Sequence, residues 1–224
     1  MIGILEVKSC LIGAFFEESI GWKFVSILYK FCYDLVCMRE IYSFLDYKKY
    51  VGLQEYELTL MRENIELVIY SVFGFLVPFL LAQPQLLVGS VVNAALVLGA
   101  LNLRGAKILP IILLPSIGVL FAGVMFGGFT QALLYMVPFI WAANVVLVLA
   151  IKEFALRRKV DKVKSLLVGA VLKSGFLFAS AFLLFYSGLV PVAILGAMGI
   201  LQLQTAMIGG GAALLIQEGK KRLF

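Results

Sequence analysis

Six long apolar runs constrain this chain more than any other feature of its sequence. They cover residues 65–82, 86–101, 108–126, 131–151, 165–186 and 189–216. A helix needs about 20 residues to cross the hydrocarbon core of a bilayer, and most of the runs have a suitable length. Because lipid offers backbone groups no hydrogen-bond partners, such runs must be continuous helices. Only 14% of the residues are charged, against roughly a quarter in soluble domains. The predicted fold is all-α, an integral membrane bundle of six transmembrane helices.

The basic residues alternate along the chain and predict its orientation. Seven Lys and Arg residues precede the first run, two lie between the second and third, six lie between the fourth and fifth, and three follow the sixth. The connections at 83–85, 127–130 and 187–188 carry no charge. By the positive-inside rule, both termini of this multi-pass protein are predicted to be cytoplasmic, in the cell membrane. Residues 63–217 form the predicted transmembrane domain, and 218–224 a basic cytoplasmic tail.

Residues 1–62 form a predicted helical cytoplasmic segment with a more polar composition. Apolar residues recur there at helical spacing, which predicts one apolar stripe on a helix over 24–36. The stripe comprises Phe24, Ile27, Leu28, Phe31, Cys32, Leu35 and Val36. This helix could lie on the inner membrane surface. Alternatively, it packs within a small cytosolic cap.

Lys173 is the one basic residue inside a predicted span. It lies about 12 Å along the fifth helix from the inner end, at about 1.5 Å per residue. A charge at membrane depth costs about 2.5–3.5 kcal/mol on insertion scales and therefore marks a functional hypothesis. The alternative is that its long stem reaches back to the cytoplasmic interface. Glu66, near the inner end of the first helix, is one candidate partner.

Several uncharged polar residues are predicted to lie near the same depth. Together with Lys173, the predicted substrate-binding residues are Asn93, Asn144, Gln202 and Gln204. Amide side chains are costly in lipid unless they are paired, so a polar internal pocket is one explanation. The other is hydrogen bonding between helices, worth about 0.6 kcal/mol each.

Small residues four apart permit close helix contacts, within the bundle or with another subunit. The second run contains the pairs Ser90 and Ala94, and Ala95 and Gly99. The sixth contains Ala206 and Gly210, and Gly209 and Ala213.

The sequence lacks the motifs of the common catalytic and metal sites. It contains no histidine, and its three cysteines (Cys10, Cys32 and Cys37) have no zinc or iron–sulfur spacing. It has no phosphate-binding loop, nucleophile elbow or pair of catalytic carboxylates. We therefore expect no enzyme activity, catalytic residue, metal, cofactor or nucleic-acid partner.

Three short stretches resemble segments of a known family. They are QLLVGSVVNA at 85–94, LPSIG at 114–118 and PFIWAAN at 138–144. With six helices, short uncharged outer loops and a basic loop between helices four and five, the chain resembles the substrate-binding S components of energy-coupling factor (ECF) transporters. The resemblance covers roughly residues 63–217. The family often carries an Ala-xxx-Ala docking motif on its first helix, where this chain offers only Gly74, Pro78 and Ala82.

The resemblance implies a solute-binding subunit of an uptake transporter for a small solute such as a vitamin. Its implied partners are the lipid bilayer, the solute, a membrane coupling subunit and separate ATPase subunits. Nickel and cobalt are disfavoured, because the members that carry them use N-terminal histidines. The alternative function is a structural or assembly subunit of a membrane complex, without its own ligand. A channel or an autonomous transporter ranks third, because no ion pathway is visible.

Overall fold

The computed structural model describes residues 52–81, 84–126 and 130–223. For residues 124–126, 130, 131 and 223 it describes the backbone alone. Its regular elements are all helical, with no strand in these ranges. The predicted helix at 24–36 lies outside the described residues, as do Ala82 and the three cysteines. The all-α prediction is confirmed for the part of the chain that the structure describes.

Seven α-helices account for the six apolar runs. They are α1 (Leu60–Leu80), α2 (Gln85–Asn102), α3 (Leu109–Phe126), α4 (Thr130–Ile151), α5 (Lys162–Tyr186), α6 (Ala193–Met198) and α7 (Ile200–Leu223). A 3₁₀ turn, Gly105–Ile108, precedes α3, and a π-helical turn, Lys152–Arg157, extends α4. Six helical segments, with α6 and α7 counted as one, are long and apolar enough to cross a membrane. The chain is a multi-pass membrane protein.

The last apolar run differs from its predicted form, because it is broken near its start. We predicted one long helix that tilts or begins in the interface, whereas the chain turns at Gly199 between α6 and α7. Gly199 has φ −97° and ψ −97°, outside helical geometry. A β-carbon at this position would lie 3.0 Å from Cδ2 of Phe178 and 3.2 Å from the Leu195 carbonyl oxygen. The glycine therefore lets the turn pack directly against α5.

The surface of the bundle is apolar along much of its length. Large side chains such as Phe73, Phe182 and Leu215 are more than half exposed. A soluble monomer rarely exposes apolar patches of this extent, so this surface contacts lipid.

The helices divide the bundle into two ends of different charge. The end where α2, α4 and α7 finish carries Lys107, Lys152, Lys162 and Lys220, and is called the basic end below. The end where α1 finishes and α2 begins is called the uncharged end. An apolar core around Leu101, Ile111 and Leu147 lies toward the basic end. A second core around Met136, Leu177 and Met198 lies toward the uncharged end.

Small residues bring α7 into close contact with α2. A β-carbon added at Gly209 would lie 2.0 Å from the Ser90 carbonyl oxygen and 3.0 Å from the Ala94 nitrogen. One at Gly210 would lie 2.2 Å from Cδ1 of Leu166 in α5. These predicted small-residue pairs therefore serve contacts inside the bundle.

The close contact at Gly209 generates a stability prediction. Gly209→Ala should destabilise the protein by about 1–3 kcal/mol, since its methyl group would meet backbone atoms of α2. Gly211→Ala is the matched control, because a β-carbon there has no neighbour within 4 Å. Thermal unfolding of both variants in one detergent measures the effect. Equal melting temperatures would contradict the close α2–α7 contact.

Candidate functional site

An internal cavity of about 440 Å³ lies between the helices, and every described helix contributes to its wall. Its lining runs from Asn93 and Lys173, near the middle of α2 and α5, to Gln85 and Ala193, near the uncharged end. Most of the lining is apolar, with Val92, Leu133 and other aliphatic side chains. The volume lies within the range of small-molecule sites, about 300–1,000 Å³.

A chain of hydrogen bonds fixes Lys173 at the inner part of the cavity wall. Lys173 Nζ donates to Asn93 Oδ1 at 2.6 Å. Asn93 Nδ2 donates to the Gly89 carbonyl oxygen at 2.9 Å and to Thr205 Oγ1 at 3.1 Å. The Thr205 hydroxyl in turn donates to the Gln202 carbonyl oxygen at 3.1 Å. One lysine on α5 is thus tied through α2 to α7, and its ammonium has further N–H donors to offer.

Two buried polar atoms in the same wall have no hydrogen-bond partner. Asn144 donates through Nδ2 to the Ile112 carbonyl oxygen at 3.1 Å, but its Oδ1 is unpartnered. Ser116 Oγ is also unpartnered. Both residues line the cavity, and they are 1% and 4% exposed. Buried polar atoms without partners are uncommon in native proteins, and neither of these two atoms has appreciable surface accessible from the cavity.

Among the described residues that line the cavity, Lys173 is the one basic side chain, and there is no carboxylate. The acidic side chains in the described part of the chain all lie toward the basic end. They are found on the 52–59 segment, at the start of α1, around the α4–α5 connection and near the end of α7. The ion pairs of Glu55, Glu63, Glu66 and Glu153 are with other cations. Lys173 therefore makes no salt bridge with any described residue.

The structure brings together four of the five predicted binding residues. Asn93, Asn144, Lys173 and Gln202 all line the cavity. Gln204 does not, because its side chain is exposed on the opposite face of α7.

Two interpretations of Lys173 need correction. Its predicted partner Glu66 instead accepts from Lys220 Nζ at 2.7 Å and from the Tyr70 hydroxyl at 2.7 Å, at the basic end. The lysine does not reach the inner surface either, since its side chain is 2% exposed and its ammonium donates to Asn93.

A second polar cluster, at the basic end, was not predicted from the sequence. Asn102 and Gln217 pair through both amide groups, at 2.8 and 3.1 Å. Gln217 Nε2 also donates to Glu55 Oε2 at 3.1 Å. Glu63 accepts from Lys107 Nζ at 2.7 Å and from the Arg104 backbone nitrogen at 2.8 Å. Except for Glu55, these residues stand at the ends of apolar runs, where a sequence pattern does not separate an internal side chain from an exposed one.

Lys152 belongs to this cluster and is fully buried. We assigned it to the basic connection between the fourth and fifth helices, whereas the π-helical turn carries it into the bundle. Its ammonium donates to the Leu53 carbonyl oxygen at 2.6 Å and to the Leu103 carbonyl oxygen at 3.0 Å. The Glu55 amide donates to the Leu101 carbonyl oxygen at 2.8 Å. Residues 53–55 are therefore fixed to the basic end of the bundle.

Comparison with known proteins identifies no relative. No protein-family model, no curated protein and no solved structure matches the chain. The geometry of the cavity therefore carries the functional argument.

The basic-end cluster generates a second stability prediction. Gln217→Leu should destabilise the protein by about 1–3 kcal/mol, because it leaves buried polar groups of Asn102 and Glu55 short of a partner. Gln204→Leu, on the exposed face of the same helix, is the control and should have little effect. Thermal unfolding in detergent compares the two. A loss of stability confined to Gln204→Leu would contradict the assigned pairing.

Proposed function

We propose that this protein is the solute-binding membrane subunit of an uptake transporter of the ECF type, and that it is not an enzyme. The observation that carries the proposal is the cavity, a mainly apolar space whose lining includes the polar residues Asn93, Lys173 and Gln202. Sites for small organic molecules have this composition, in which apolar walls supply most of the contact and a few polar groups fix orientation. Taking about 30 Å³ per molecule, as in liquid water, this volume of about 440 Å³ would hold on the order of 15 waters. It is too large for a single dehydrated ion and suits a small organic solute such as a vitamin.

The proposed route of the solute leads from the uncharged end. The cavity wall continues from Lys173, in the middle of the bundle, to Gln85 and Ala193 near that end. The basic end is closed by the paired side chains of Asn102 and Gln217 and by Lys152. With the positive-inside rule, the uncharged end faces outward and both termini lie in the cytoplasm of a cell-membrane protein. The solute would therefore be captured from outside.

Energy for transport would come from other subunits, because the sequence has no phosphate-binding loop. The proposed partners are a membrane coupling subunit and ATPase subunits. Gly74 and Pro78 would not form the docking surface. Both are buried, and a β-carbon at Gly74 would lie 3.6 Å from Pro115 of α3. Docking on a coupling subunit would use another face of the bundle.

Filling the cavity tests solute binding without assuming the chemistry of the solute. Ala197 lines the cavity, so Ala197→Phe should exclude a solute from it. Small molecules are extracted from the purified wild-type protein and identified by mass spectrometry. We expect a near-stoichiometric solute from the wild type and at least a tenfold loss from Ala197→Phe.

Ile200→Phe is the matched control, because Ile200 is 70% exposed and lies three residues away. It should retain the solute. An empty wild-type protein that purifies with membrane partners other than ATPases would favour the assembly-subunit alternative.

The proposed orientation is tested at the two ends of α5. In a chain whose three cysteines are replaced, Lys164→Cys lies in the first turn of α5 and Ser187→Cys directly follows the helix. We expect a membrane-impermeant maleimide to label Ser187→Cys in intact cells, and Lys164→Cys only after permeabilisation. The reverse labelling pattern would invert the proposed topology.

A further inference from the structure

We propose that the solute is an organic monoanion, a carboxylate-bearing molecule with a mainly apolar body. Its carboxylate would accept a hydrogen bond from the Lys173 ammonium. This inference rests on the proposed function, since it names the class of solute that the cavity takes.

The first argument is the charge of the cavity. Lys173 is 2% exposed, and the described lining supplies it with a neutral amide oxygen and no carboxylate. A buried charge without a counter-charge is costly, and removing one partner of a buried pair is strongly destabilising. An anionic solute would supply the missing partner. A cationic solute would instead place two like charges in a space with few polar groups.

The second argument concerns the number of charges. Lys173 is the one cation among the described residues that line the cavity. A phosphate monoester carries about −1.5 to −2 charge at neutral pH and would exceed the single positive charge. A carboxylate matches that charge. Lysine also binds as a compact point charge with several donors, whereas a bidentate arginine site is absent from the described lining.

The third argument is the composition of the rest of the wall. It is mainly aliphatic, with Val92, Leu133 and Val137 among the lining residues, and such a wall suits the apolar body of a small organic molecule. Asn144 Oδ1 and Ser116 Oγ are unpartnered but have almost no accessible surface, so they specify no further polar group on the solute.

Two substitutions separate the charge of the site from its shape. Lys173→Gln removes the positive charge but keeps an N–H donor at this position. Asn93→Asp keeps the lysine and gives it a permanent internal carboxylate, so the site no longer needs an anion. Lys164→Gln is the control, since Lys164 is exposed in the first turn of α5, away from the cavity.

The experiment uses the full chain in lipid nanodiscs with a matched pair of probes, naphthalene-1-acetate and naphthalene-1-acetamide. Binding is followed by the shift in thermal unfolding, and the extracted native solute is identified in parallel. We expect the carboxylate probe to bind at least tenfold more tightly than the amide, as a charged hydrogen bond implies. We expect this preference in the wild type and in Lys164→Gln, and its loss in Lys173→Gln and Asn93→Asp. Because Asn93→Asp loses the Nδ2 hydrogen bonds to Gly89 and Thr205, the unfolding temperature of each variant without a probe is measured to distinguish lost affinity from lost structure.

The outcomes distinguish this inference from the proposed function. A recovered solute that is neutral or cationic overturns the anion assignment and leaves solute binding in place. Equal binding of the two probes, or a carboxylate preference that survives in Lys173→Gln, also overturns the anion assignment and leaves solute binding in place. If the wild type yields no solute and binds neither probe, the proposed function itself fails.

Discussion

The hydrocarbon interior offers polar groups no partners, and this constraint determines where the chain places its amides and charges. The backbone satisfies the constraint by forming helices. The buried side chains must satisfy it by pairing with one another across helices. At the basic end most of them do so, and Asn102, Gln217 and Glu63 each have more than one partner, although Gln54 Oε1 has none. These bonds join α1, α2 and α7 and hold residues 53–55 against the bundle.

The cavity differs from the basic end chiefly in the pairing of its lysine. At the basic end most polar groups are paired, although Gln54 Oε1 has no partner, and Lys152 donates to two carbonyl oxygens. In the cavity, Asn144 Oδ1 and Ser116 Oγ are unpartnered, and Lys173 faces no described carboxylate. Unpartnered polar atoms occur in both regions and do not by themselves mark a ligand site. The proposed function rests instead on the cavity and on the buried lysine in its wall, which has no described carboxylate beside it.

Much of the fold could be predicted from the sequence because depth in the membrane is a one-dimensional property. Apolar run lengths and alternating charges gave six segments, and the depth of Lys173, Asn93 and Asn144 followed from position along each run. The direction in which a side chain points is harder to predict from the sequence. Gln202 and Gln204 share a depth, but residues two apart lie on nearly opposite faces of a helix with 3.6 residues per turn. Only Gln202 lines the cavity, and the helical period could have shown that at most one of the two does, but not which one. The turn at Gly199 and the burial of Lys152 depend on neighbouring helices, which no local pattern specifies.

The arrangement around Asn93 shows how the fold restricts the lysine of the proposed site. Its amide nitrogen is held by Gly89 and Thr205, so the direction of its oxygen, and with it the position of the Lys173 ammonium, is fixed by three helices. Gly89 makes this possible, because a β-carbon there would lie 2.7 Å from Cγ2 of Thr205 and force α7 away. A lysine side chain has about 2 kcal/mol of rotamer entropy to lose on binding. Since folding has already restricted it, a solute would not bear that cost, and this preorganisation favours tight binding.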